Sequence, residues 1–137
     1  MAALLGGAAT LDSMHPDLTA LKGIDELDRL IGESRTRPLL LFKHSHTCGT
    51  SMEALDELVA HLNEPGLGIR DSGLGTQPQY AMVTVQTHRD VSNAISARLG
   101  VRHQTPQALL VRNGLVVWSA SHFRVTANAV QDAINQS

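Results

Sequence analysis

The run Leu39-Leu-Leu-Phe-Lys-His-Ser-His-Thr-Cys48-Gly-Thr-Ser51 decides how the rest of the chain is read. Leu39 to Phe42 are consecutive apolar residues, too short a run for a helix and typical of a strand buried on both faces. From Met52 the apolar residues Met52, Leu55, Val59 and Leu62 recur at helical spacing, with Glu53, Asp56 and Glu57 off that stripe. A buried strand therefore surfaces near Lys43 and hands over to an amphipathic helix, with Cys48 at the junction. Unpaired N–H groups and the positive end of a helix dipole favour an anion there, so the thiol pKa is expected to fall. Lys43 would add a cation, and Thr47, Thr50 or Ser51 would add hydroxyl donors. Two helix starts compete: one beside Cys48, and one after Thr50, where Thr50-x-x-Glu53 fits a capping box and leaves the thiol farther from the dipole.

A lone cysteine is most often a small buried hydrophobe. Cys48, however, lies among His46, Thr47, Gly49, Thr50 and Ser51, a polar setting at a strand-to-helix turn, where α/β folds usually place their sites. The reactive reading is favoured for that reason.

The chain has 137 residues, one domain's worth, and can bury a core without staples. Its single cysteine excludes an intrachain disulfide, a Cys-x-x-Cys pair and any multi-cysteine metal site built by one chain. The net charge of −2 without runs of like charge gives no footprint for nucleic acid or an anionic membrane, and 3% aromatics offer no stacking platform. Met1 to Thr10 is apolar, but no Lys or Arg precedes Lys22. That pattern suits neither a secretory signal nor a membrane span, and a cytoplasmic location is expected. Residues 1–17 read as a flexible N-terminal extension, with Met14 a second candidate start, and residues 18–137 as a single domain.

In chain order, Leu18 and Ala20 suggest a short edge strand, and Ile24, Leu27, Leu30 and Ile31 a helix ending near Ser34. The stretch from Glu64 to Gln79 is rich in Gly and Pro and reads as a long loop. Tyr80 to Val85 forms a second interior strand, Thr87 to Asp90 fits a capping box, and the helix through Val91, Ile95 and Leu99 closes at Gly100. Asn113-Gly114 between two apolar runs signals a type I′ hairpin, with Pro106 heading its first strand. Thr126 caps a final helix from Ala127 to about Gln136, and Val125 with Val130 forms its hydrophobic staple. The fold class is α/β: a mixed sheet of about four strands, with a parallel βαβ unit and an antiparallel hairpin, flanked by helices.

A cysteine at the first strand-to-helix turn, then an x-Pro opening a hairpin and a closing helix, resembles the thioredoxin fold. The resemblance implies that Pro106 is cis and faces the cysteine, and that the Thr105 backbone pairs with substrate. Phe42-Lys-His-Ser45, Cys48 with Ser51, Val85-Gln86 with Arg89-Asp90-Val-Ser92, Val101-Arg-His103 with Thr105-Pro-Gln107, Asn113-Gly114 with Val117-Trp118, and Ser121-His122 with Val125-Thr126 together resemble the monothiol bacilliredoxin family. The resemblance spans roughly Pro38 to Thr126. It implies a thiol-disulfide oxidoreductase that removes bacillithiol from mixed disulfides on S-thiolated client proteins. Cys48 would be the catalytic nucleophile, with Lys43, Thr47 and Ser51 stabilising its thiolate and His44, His103, Thr105 and Pro106 contacting substrate. No bound cofactor is implied, only a low-molecular-weight thiol as co-substrate.

This chain has Cys48-Gly49-Thr50-Ser51 where the family commonly has Cys-Pro-Ile-Ser, and this stretch is also similar to the Cys-Gly-Phe-Ser of glutathione-using monothiol glutaredoxins. A different reading takes His44, His46 and Cys48, alternating along an extended segment, as a zinc or copper site. A third takes the domain as a non-catalytic binding module with an incidental thiol.

Overall fold

The computed structural model describes residues 15–64 and 77–137. Its elements are β1 (Leu18–Ala20), α1 (Ile24–Glu33), β2 (Leu39–His44), α2 (Gly49–Leu62), β3 (Gln79–Thr84), α3 (Arg89–Leu99), β4 (Gln107–Arg112), β5 (Leu115–Ser121), a 3-10 turn (His122–Arg124) and α4 (Ala127–Gln136). The strands form one sheet in the order β1-β3-β2-β4-β5. The expected four become five because β1 pairs in parallel with β3, Leu18 opposite Tyr80 and Ala20 opposite Met82. β2 and β3 are the parallel pair of the βαβ unit, and β4 and β5 run antiparallel on the other side. This is an α/β thioredoxin-like fold, with four helices flanking the sheet among the described residues.

Both faces of β2 are covered, which is why its apolar residues are continuous rather than alternating. Leu40 and Phe42 pack with Ala54, Leu55, Leu58 and Leu62 of α2 and Val130 and Ala133 of α4. Leu39 and Leu41 pack on the opposite side with Leu27 and Leu30 of α1 and Val91, Ala94 and Ile95 of α3. A fully buried leucine such as Leu41 contributes about 1.5–3 kcal/mol by leaving water.

Several local expectations are met. Gly100 closes α3 at φ 66°, and Asn113 and Gly114 take positive φ values of 54° and 75°, as a type I′ hairpin demands. Thr126 Oγ1 accepts from Ala129 N at 3.1 Å, and Val125 and Val130 are buried in one cluster. Others change. α2 begins at Gly49, so its buried positions are Ser51, Ala54, Leu55, Leu58, His61 and Leu62, while Met52 is 40% exposed. Thr87 does not cap α3. The N-cap is His88, and the Thr87 hydroxyl instead donates to Thr84 O at 3.2 Å.

His15 and His61 are buried. His15 was assigned to the flexible extension, yet its Nε2 lies 2.8 Å from Asn63 Oδ1. Residues 1–14, and residues 65–76 of the long loop, lie outside the described residues. Among the described residues no helix is long and apolar enough to cross a membrane.

Candidate active site

β2 ends at His44, and the chain turns at once: Cys48 N donates to Ser45 O at 3.3 Å. Cys48 then becomes the N-cap of α2, with extended backbone at φ −114° and ψ 122°, and its carbonyl accepts from Met52 N at 3.1 Å. The helix start after Thr50 is thus overruled. An N-cap side chain sits over the unpaired N–H groups of the first turn. In Cys48 that side chain is a half-buried thiol that makes no capping hydrogen bond, so the sulfur is uncommitted.

Ser51 does not serve the sulfur as expected. Its hydroxyl is fully buried, accepts from Ser45 N at 2.9 Å and lies 2.8 Å from His44 Nδ1. These bonds tie the first turn of α2 to the end of β2 and so fix where Cys48 stands. His44, expected as a substrate contact, is also fully buried, with its ring stacked on Phe42 at 6.0 Å. Burial, followed by the charge of nearby His46, holds its pKa below the ordinary 6.5. It is a neutral structural ring.

Lys43 is corrected in the same way. One residue before His44, it points to the other face of the sheet, where Nζ donates to Ser96 Oγ of α3 at 2.8 Å and lies 3.0 Å from His103 Nδ1. It is fully buried, and desolvation lowers its pKa to about 8. The sheet separates it from α2, so it is not the thiolate's counter-ion. His103 is exposed, and its pKa is lowered by desolvation, then by Lys43 and Arg89.

The Thr105–Pro106 peptide is cis. Lys43 pairs with Gln107, so Pro106 lies one step beyond, at the end of β2 that carries the cysteine turn. Pro106 O accepts from His122 N at 3.1 Å, which joins this loop to the 3-10 turn. A groove of about 360 Å³ runs along α2 from Thr50 to Glu57 and is bordered by His122, Val125 and the exposed Phe123.

Gln86 has no assigned role in the sequence reading. It follows β3 at the same end of the sheet, and its Nε2 donates to Ser45 Oγ at 2.6 Å and to Thr47 Oγ1 at 3.2 Å, while Oε1 accepts from His46 N at 3.2 Å. A glutamine's reach across 40 residues leaves no periodic signal, so only its place in the Val85-Gln86 block marked it. The turn at Ser45–Cys48 breaks the extended geometry that a His44, His46, Cys48 metal set requires. Among the described residues no group of His, Cys, Asp or Glu is arranged to hold a metal ion.

A thioredoxin-like sheet with one cysteine at the N-cap of the helix after its central strand defines the class: a single-cysteine member of the thioredoxin superfamily. A solved chain described as having a thioredoxin fold, and proposed as an oxidoreductase, is 28% identical with a TM-score of 0.69, covering 86% of this chain and 94% of that one. A mutant thioredoxin from Halobacterium salinarum NRC-1 is 17% identical with a TM-score of 0.63, covering 88% and 89%. Thioredoxin from Malassezia sympodialis is 14% identical with a TM-score of 0.62, covering 85% and 87%. Residues 19–130 match the family described as Monothiol bacilliredoxin BrxC, and the chain belongs to that family.

Proposed function

We propose that this protein is a thiol-disulfide oxidoreductase that removes a low-molecular-weight thiol, bacillithiol, from S-thiolated client proteins. The observation that carries the reading is the placement of the sole cysteine as N-cap of α2, half-buried and without a capping bond. Membership of the monothiol bacilliredoxin family supports the choice of thiol.

In the first step the Cys48 thiolate attacks the small-thiol sulfur of the client's mixed disulfide. The client–small-thiol S–S bond breaks, the client sulfur leaves as a thiolate and takes a proton from solvent, and a Cys48–small-thiol disulfide forms. With no second cysteine in the chain, a second small-thiol thiolate attacks the small-thiol sulfur, releases Cys48 and leaves as the symmetrical disulfide. No net oxidant is needed beyond the mixed disulfide itself. The N–H groups of the first α2 turn stabilise the anionic sulfur, and Thr47 lies beside it in sequence. The Thr105 backbone pairs with the disulfide-bearing segment, Pro106 keeps a competing N–H away, and exposed His103 contacts the small thiol. The groove beside Thr50 gives that thiol room.

The test exposes the protein to bacillithiol disulfide and to glutathione disulfide and weighs the product, then measures release of small thiol from a bacillithiolated client. A single bacillithiol adduct on the wild type, absent in Cys48→Ser, and client release by the wild type alone are expected. A glutathione adduct without a bacillithiol one would move the protein to glutaredoxin-like chemistry. No adduct with either would leave only the binding module.

A further inference from the structure

Between Leu99 of α3 and Gln107 of β4 the chain crosses without forming an element, yet it is tied at nearly every step. Gly100 N and Val101 N donate to Ser96 O at 2.9 and 3.2 Å. Gln107 Nε2 reaches back to Arg102 O at 2.9 Å, and Pro106 O accepts from His122 N at 3.1 Å. The remaining tie is ionic. Lys43 Nζ donates to Ser96 Oγ at 2.8 Å and to His103 Nδ1 at 3.0 Å, so one ammonium on β2 clamps the last turn of α3 to the middle of the crossing. Lys43 and Gln107 are opposed across β2 and β4, and opposed residues share a face of the sheet, so the two form a single support. Thr105 is the exception. It is half-buried, and among the described residues its N–H and C=O make no hydrogen bond within the chain.

We propose that Lys43 is a positioning residue: bonded to Ser96 and His103, it holds the segment from Arg102 to Pro106 in the shape that leaves the Thr105 backbone open to the disulfide-bearing segment of a client. An ammonium carries three protons and no acceptor, so it serves a hydroxyl and an imidazole at once. An apolar side chain would fill the same space without burying a charge, but it would release His103 and, with it, the crossing. The proposal deepens the function above and rests on that reading in one respect, that Thr105 meets the client. Lys43 acts through the crossing and not on the sulfur.

The test uses the full chain with Lys43→Met and two substrates. One is the bacillithiolated client; the other is bis(2-hydroxyethyl) disulfide, which has no peptide backbone to pair with Thr105. The client KM should rise about tenfold in the variant, with kcat and the rate of Cys48 adduct formation from the small disulfide within about twofold of the wild type. Backbone order parameters of residues 102–105 should fall, and the melting temperature should not. Ser96→Ala, which frees the ammonium from α3, should move the client KM and the order parameters in the same direction, by less. Adding it to Lys43→Met should change little further. It also carries the test if Lys43→Met does not fold. Wild-type order parameters in both variants, an unchanged client KM, or an equal loss with both substrates would overturn the proposal. A wild type that forms the small-disulfide adduct but releases nothing from the client would instead count against the function, while the order parameters would still decide whether Lys43 holds the crossing.

Discussion

The ammonium of Lys43 lies 3.0 Å from Nδ1 of His103, fully buried and without a carboxylate in ion-pair range among the described residues. An ammonium can only donate, so Nδ1 accepts and the His103 ring proton resides on Nε2. The sheet thus holds a charge with no counter-ion among those residues, and its cost should be visible in stability.

The Lys43 pKa falls from 10.5 to about 8 in the folded protein. Between those values the unfolded chain binds more protons, so stability rises as pH climbs from 8 toward 10.5 and is lowest below 8. Lys43→Met keeps the length and removes the charge. At pH 7 the variant should be more stable by about 2 kcal/mol, and urea midpoints between about pH 8 and 10 should be flatter than in the wild type. A variant that is less stable at pH 7 would mean the ammonium contributes net stability.

His44 and His103 both have folded pKa values below 6.5. In the window from 6.5 down to those values the unfolded chain again binds more protons, so stability is lost as pH falls. Urea midpoints at pH 7 and pH 5 should show this loss, and His44→Gln should reduce it. An equal loss in both proteins would place the acid sensitivity elsewhere.

Ser51→Ala removes the oxygen that satisfies Ser45 N and faces His44 Nδ1. Two buried polar atoms lose their partner, which should destabilise the fold by about 2–3 kcal/mol. Denaturant unfolding gives the number. Ser51→Thr, which keeps the hydroxyl, should recover part of it if the pocket admits a methyl group.

Gly49 is the first residue of α2, and nothing lies within 4 Å of where its Cβ would be. Cys48 before it is extended, the conformation that a following proline requires. Gly49→Pro should therefore be accepted and raise stability by about 0.4–1 kcal/mol through the unfolded state. It also deletes an N–H from the first turn, so Cys48 alkylation should slow while the melting temperature rises. A fall in melting temperature would show that the turn cannot take the ring.

Much of this architecture follows from local sequence rules. The strand at Leu39 to Phe42, the Asn113-Gly114 turn, the Gly100 stop and the Thr126 cap each depend on residues within one turn or strand, and each forms as expected. What sequence did not reveal depends on contacts between distant residues. Lys43 looks like a surfacing strand end until Ser96 and His103 fold over it, 53 and 60 residues on. Ser51 looks like a donor for the thiol until the end of β2 claims its hydroxyl. His61 gives no local signal of burial, yet its Nε2 lies 2.8 Å from the Tyr80 hydroxyl. Polar residues of this kind obey no period, so pattern alone assigns them to the surface.

β2 delivers the chain to Cys48, and α2 carries it back to Leu62, near the starting ends of the strands. There Arg37 Nε donates to Gln77 O at 2.9 Å and Gln79 N to Pro38 O at 2.7 Å, so β3 is re-entered at a fixed point beside the start of β2. The described ends of the connection between α2 and β3 therefore lie at the pole opposite the thiol. Residues inserted there should leave the register of β2 against β3 and the N-cap of α2 unchanged, because both are set by contacts elsewhere. A fluorophore or affinity tag inserted in that connection would report on the protein from a distance and leave the end that carries Cys48 bare.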